Sequence, residues 1–504
     1  MTDKKNRKEE TIINELIDRF RFFFCSTKGL VLVAIALMAL VIIIFGMLSG
    51  PGILLGLKDF VVRVLGMQLI AVEREGRIIM LYHAIAMAVV AIETYLITGL
   101  VPMNKDDRTR INITITVGYI TAMFSGLIFA YFGRNFIMHG LFIFGQSLVF
   151  FAGVMLMIAL WPWKKDRHVK DMAYAHTRGG VDLERTAFFT MAATMLGSAV
   201  FGAVAGSYFG SGFESFLAEN TVREPGKTAL QLAVIGHLHI MLTLIGIALT
   251  LIISRWLNFK GLLHKFSMPL IIAGTIIVTL GVWMVVPFQE VAHFIIYGGS
   301  VPAAVGALLL VIYGWRKFIR ERLAEQGIKK ASFGQRLSAL LHDPVKFGIL
   351  WQMVYMNFVV TFVGIFMAIR LEKIARMWPA LEERIELTGH WHILSGIIAT
   401  IILLYYANMI GMKGKIRQWF GWLVIISSDI AFAAVTLYET KRLLVSESAQ
   451  QPLVNTATII WELAIILALA VLGALMIWRL VDLFKKKGRW KTELAEKDDA
   501  GEVA

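Results

Sequence analysis

Twelve apolar runs of about 20 residues leave this chain few ways to fold. A bilayer core about 30 Å thick takes about 20 helical residues, and the runs fall near 30–50, 77–101, 111–132, 135–161, 186–210, 229–254, 267–287, 291–315, 347–369, 387–409, 418–438 and 456–478. Inside lipid every backbone N–H and C=O must find its partner within the protein, so runs of this length read as α-helices. The expected fold is an all-α membrane protein with twelve transmembrane helices. A composition of 57% hydrophobic and 17% charged residues over 504 positions agrees with it. The expected layout is an amphipathic N-terminus over 1–29, a membrane domain over 30–483 and a tail over 484–504. The longest connection, 316–346, is basic and reads as a short amphipathic interfacial helix.

A formal charge of +14 would fit nucleic-acid binding if it formed a patch. It lies instead in the gaps between apolar runs. With the N-terminus taken as cytoplasmic, 37 of the 50 Lys and Arg residues fall on that same side, the asymmetry expected of membrane topology. The expectation is therefore a multi-pass protein of a prokaryotic inner (plasma) membrane, both termini cytoplasmic, with no nucleic-acid partner. The opening TDKKNRKEETIINELIDRF has no small-residue cleavage site, so no removable signal peptide is expected. A single cysteine, Cys25, excludes an internal disulfide, a covalent haem attachment motif and a cage of several thiolates.

Three of the runs open with related strings: MLYHAIAM around His83, VIGHLHIM around His237 and LTGHWHIL around His390. They are spaced by 154 and 153 residues, the mark of an internal repeat, here a four-helix unit present three times. The second, sixth and tenth spans then occupy equivalent places around a pseudo-threefold axis, with their histidines in the outer half of the membrane. In a His-x-His pair the side chains point about 200° apart, so one helix serves two sites. Ionisable groups at membrane depth are costly and mark function. Zinc would need three or four nitrogens converging on one point, which this divergence opposes. A haem standing between two helices takes one imidazole from each side and needs no cysteine.

With these residues the sequence resembles the large subunit of the heme-copper oxidase superfamily, which includes the nitric-oxide reductases, across essentially all twelve spans. The resemblance implies that His83 and His392 clamp a low-spin haem. It also implies that His390 is the proximal ligand of a second haem and that His237, after Gly236, belongs to a second metal. The chain departs from the family where two adjacent histidines should complete that metal site: the string is VWMVVPF, with Val285 and Val286 in their place. Met241 stands where the family has a tyrosine or glutamate, and no lysine lies within the eighth span. Copper is therefore not expected. Applying the threefold rotation to the pair His83 and His392 gives His239 and His390 as the two ligands of a second haem. A further rotation sets His237 against Ile85, which cannot coordinate iron.

Two bis-histidine haems, b-type or of another side-chain type, leave no open iron position. The expected function is then the haem-binding core of a membrane respiratory oxidoreductase. Such a subunit passes electrons without the usual copper or non-haem iron active site. Its expected partners are a c-type cytochrome subunit or soluble cytochrome on the outer side, quinol, and other membrane subunits. One alternative is a catalytic oxidase or nitric-oxide reductase with a high-spin haem and an unusual second metal. Another is a cofactor-free transporter, which leaves the paired histidines unexplained. Glu93, Asp429 and Glu462 lie within spans and mark proton movement or a quinone pocket, or else bond a neighbouring helix. Lys441 and Arg442 follow the eleventh span, where they pair with haem propionates or anchor the interface. His139 and His293 sit at outer helix junctions, and His168, His176, His264 and His342 are expected to be solvated in cytoplasmic loops.

Overall fold

The computed structural model describes residues 2–49, 52–70, 74–133, 135–171, 173–174, 180–207, 229–361, 363, 380–485 and 488–500. It describes their side chains except for 2–12, 54–55, 74–75, 205–207, 230–231, 234–235, 380–392, 439 and 495–500. These residues are helical almost throughout, and no β-strand occurs among them. In chain order the helices are α1 (Thr2–Cys25), α2 (Thr27–Val41), α3 (Arg74–Leu100), α4 (Lys105–Tyr131), α5 (Phe136–Leu160), α6 (Leu183–Ser207), α7 (Ala229–Trp256) and α8 (Leu262–Met284). Then come α9 (Gln289–Glu325), α10 (Phe333–Leu341), α11 (Pro344–Val354), α12 (Ala380–Met409), α13 (Gly414–Glu439), α14 (Lys441–Leu444), α15 (Glu447–Phe484) and α16 (Arg489–Ala500). Wider π-helical turns extend α2 over Ile42–Met47 and α11 over Tyr355–Val360.

Among the described residues ten helices are long and apolar enough to cross a membrane, and the chain is an all-α, multi-pass membrane protein. The other two expected crossings run into residues outside that set: 347–369 begins in α11, and 387–409 lies in α12, whose described apolar part is Ile393–Met409. Helix ends follow local chemistry. Ser26 separates α1 from α2 by accepting the Gly29 amide at 3.0 Å, and Asn104 and Asn135 cap α4 and α5 in the same way. Hydroxyls within spans are satisfied by donating to the carbonyl four residues back, as Thr94, Thr250 and Thr275 do.

Two expected boundaries need correction. The eighth span does not stop at 315: α9 continues to Glu325, and Gly327, with φ of +69°, makes the turn into α10. Only α10 is a separate short helix, closed by a capping box between Ser332 and Gln335. The twelfth span likewise extends from 456–478 to Glu447–Phe484. An apolar window measures the lipid-facing part of a helix, whereas Arg, Glu and Ala carry the same helix on beyond it.

The chain divides into two compact units, one of 1–161, 195–215 and 476–504, the other of 162–194 and 216–475. In the first unit α4 and α5 form a close hairpin. A Cβ at Gly145 would lie 2.5 Å from the Ala122 amide nitrogen, and one at Gly118 would lie 2.8 Å from that of Val149. Small residues of this kind let membrane helices pack backbone against backbone. At the end of α15, fully buried Arg479 holds Glu493 of α16 through two hydrogen bonds, of 3.2 and 2.7 Å, while Trp490 packs edge-on against Phe22 of α1. The segment expected as a tail is therefore docked on the N-terminal helix over its described side chains.

In the second unit α8 and α9 repeat the close hairpin, with Gly299 against the Val278 amide at 2.5 Å and Gly274 against that of Ala303 at 2.7 Å. Beside it α11, α12 and α13 pack together. Gly421 of α13 lies against Val345, and Gly348 of α11 lies against Ile425. A two-pronged pair of Arg417 with Asp343, both contacts at 2.9 Å, ties the starts of α11 and α13.

Candidate functional site

Helix α3 carries His83 in its third turn, half-buried, with Nδ1 at 2.9 Å from the carbonyl of Ile79. A carbonyl only accepts, so Nδ1 carries the proton and Nε2 holds the lone pair. That is the tautomer in which an imidazole offers Nε2 to a metal while its other nitrogen is oriented by the backbone. His83 belongs to the first compact unit; the other four candidate histidines belong to the second.

On α7, His237 is half-buried and His239 exposed, as two positions about 200° apart on one helix should be. Thr243 returns its hydroxyl to the His239 carbonyl at 2.9 Å and so keeps that turn regular. His390 and His392 lie in α12, with their side chains outside the described residues. Their level in the bundle is nevertheless set by the backbone. Trp256, the last residue of α7, meets Tyr405, near the end of α12, with ring centroids 5.7 Å apart. Both helices therefore finish at the same face and run in the same direction. Counting back along them at 1.5 Å per residue, His239 lies about 26 Å from that ring pair and His390 about 23 Å, while His237 and His392 lie about 29 Å and about 20 Å back. The two best matched in level are His239 and His390. Val285 and Val286 follow the last turn of α8, and among the described residues no three His, Cys, Asp or Glu side chains gather as a metal-ion cage.

The carboxylates expected within spans occupy three different settings. Glu93 on α3 is 2% exposed, and its Oε1 is buried without a hydrogen-bond partner. Asp429 on α13 is half-buried and does bond a neighbouring helix, accepting Trp351 Nε1 at 2.8 Å and Gln352 Nε2 at 2.7 Å. Glu462 is exposed on the surface of α15. Of the basic pair, Lys441 is buried, with its Nζ 5.0 Å from the centre of the Tyr438 ring, and Arg442 is half-buried. His139 stacks on Phe129 at 5.2 Å, while His293 and His342 are exposed.

His264 corrects the expectation of a solvated loop residue. It is fully buried in the first turn of α8, edge-on to Tyr174 and Phe259. His176 lies outside the described residues.

Next to His264 stands a cluster that sequence reasoning missed. Glu184, 1% exposed at the start of α6, accepts from Ser254 and from Arg255 Nη1 at 2.9 Å, both at the end of α7. Arg255 and Tyr174 line a shallow cleft with Lys170, Asp171 and Asn258. Burial raises the Tyr174 phenol above its ordinary value, and the Glu184 charge adds to this. The pairing joins residues 71 positions apart, and no local pattern marks it. It ties the start of α6 to the end of α7.

No family model, curated protein or solved structure matches this chain.

Proposed function

We propose that the chain is the haem-binding core subunit of a membrane respiratory oxidoreductase, a divergent relative of the heme-copper oxidase large subunit with two bis-histidine b-type haems. The observation that carries the reading is the shared end of α7 and α12 at Trp256 and Tyr405, which sets His239 and His390 at nearly one level on parallel neighbours. The donor set would suit a haem: imidazoles on apolar helices, with the His83 Nδ1 oriented by the Ile79 carbonyl. His83 and His392 would hold one haem, and His239 and His390 the other. When bound, haem supplies reversible one-electron transfer at its iron. The protein's part is to hold two imidazoles per iron, keep water away with the surrounding apolar side chains, and present Lys441 and Arg442 as cations for propionates.

The arrangement is proposed as twelve helices in three four-helix repeats. Besides the histidine strings, the glycine hairpins support it: Gly118 and Gly274 are 156 residues apart, and Gly145 and Gly299 are 154 apart. The side bearing most Lys and Arg is the cytoplasm of a prokaryotic cell, which puts both haems toward the outer face. Electrons would be exchanged there with a c-type cytochrome or quinol, and other membrane subunits would complete the complex.

Ligand replacement tests the assignment. His239→Leu and His390→Leu should each reduce a pyridine haemochrome yield of two b haems per chain to one, and so should His83→Leu and His392→Leu. His237→Leu should keep both. Full haem content in His239→Leu, or rapid carbon monoxide binding by the reduced wild type, would exclude the bis-histidine scheme.

A further inference from the structure

Asp429 differs from the other carboxylates of its unit in the company it keeps. Eight residues beyond Gly421, where α13 meets α11, it stands about 12 Å into the apolar packing. Both its partners are neutral donors on α11, Trp351 and Gln352, and among the described residues no cation pairs with it. The pair Arg417 and Asp343 lies about 18 Å back along the helix. A carboxylate without a counter-ion at this depth is costly, and binding a proton removes the cost.

Gln352 is fully buried, and its Oε1 has no hydrogen-bond partner. An orphaned buried acceptor is unusual. Beside a carboxyl group it has a clear use. In the charged state Asp429 accepts two N–H groups. In the neutral state its O–H becomes a donor and needs an acceptor, which the amide supplies by turning over so that Oε1 faces Asp429, while Trp351 still donates to the other oxygen. Each charge state thus has two hydrogen bonds to the carboxyl group. Directly beyond Gln352, α11 opens into the π-helical turns Tyr355–Val360. Such turns are rare and concentrate at functional segments.

We infer that Asp429 and Gln352 form a proton-binding site inside the membrane, in which Asp429 changes charge and the Gln352 amide turns to follow it. The step is the making or breaking of one O–H bond, with the proton exchanged with water. Every element packed against α13 sets the surroundings of that charge. From α11, Tyr355 is the titratable group within electrostatic reach, and it stacks edge-on with Trp351. From α12 come the phenols of Tyr405 and Tyr406, more than a turn beyond Thr400, which touches Ser428 at 3.5 Å. From α14 come Lys441 and Arg442, about 18 Å further along. The inference does not depend on haem.

The test is pH-dependent infrared difference spectroscopy on the purified full chain in lipid. Wild type should gain a carboxylic-acid C=O band on acidification, shifted in D2O. Asp429→Asn should lose it, while Glu462→Gln should keep it. Gln352→Leu removes one hydrogen bond from each charge state, but the bond to the carboxylate is the stronger, so its midpoint should rise by about one pH unit. Asp429→Glu, which keeps a carboxyl group, should keep a titrating band at a displaced midpoint and covers the case in which the asparagine variant does not fold. An unaltered band in Asp429→Asn, or an unmoved midpoint in Gln352→Leu, would overturn the inference. So would a midpoint that follows sodium concentration, which would make the site one for a metal cation.

Discussion

Within one compact unit, the hairpin of α8 and α9 and the seam joining α11, α12 and α13 are built on opposite terms. The hairpin is closed by absence of side chain. Gly274 and Gly299 bring backbone onto backbone, and hydroxyls such as Ser267, donating to the Gly306 carbonyl at 2.8 Å, complete a contact without charge. The seam is closed by presence: an ion pair at its start, glycines against isoleucine and valine, and then a carboxylate held by a tryptophan and a glutamine. Backbone contact has one good geometry, whereas hydrogen-bonded side chains can exchange partners without moving a helix. The contrast teaches that the hairpin is scaffold and the seam is where a change of state can be accommodated. The first unit uses the scaffold device again between α4 and α5, some 154 residues earlier.

The sharpest break of that contrast is Gly299→Leu. Its side chain would meet the α8 backbone, so a loss of about 3 kcal/mol or more in the unfolding free energy, from denaturation of detergent-solubilised protein, is expected. Gly145→Leu should cost the first unit a similar amount, and Gly140→Leu, which faces open space, almost nothing. If Gly299→Leu were as mild as Gly140→Leu, the hairpin would not be scaffold. Next comes Arg417→Met, which leaves half-buried Asp343 without its two-pronged partner and should cost about 1 to 2 kcal/mol by the same measurement. The smallest effect is expected from Asp429→Asn. An asparagine still accepts from Trp351 and can donate to Gln352 Oε1, so stability should change by less than about 1 kcal/mol. A large loss there would show the seam to be as rigid as the hairpin.

Much of this was legible in the sequence. A 20-residue apolar window reports lipid contact directly, so ten crossings were located, most of them within a few residues at each end. The ends of α9 and α15 were not, because polar helix formers continue a helix after the apolar signal has stopped. The histidine strings stood out because they recur at a fixed spacing. The partners of Asp429, 77 and 78 residues away, and of Glu184 left no such trace. His264 was misjudged because the connection containing it looks polar, whereas burial is decided by Tyr174 and Phe259, which reach it from a separate loop and from the turn between α7 and α8.

The central claim is that imidazoles on α3, α7 and α12 hold two haems. Iron and pyridine haemochrome quantitation on the purified chain, with a reduced-minus-oxidised optical spectrum, tests it most directly. Two b-type haems per chain, low-spin in both oxidation states, are predicted. A colourless protein without iron would contradict the claim outright.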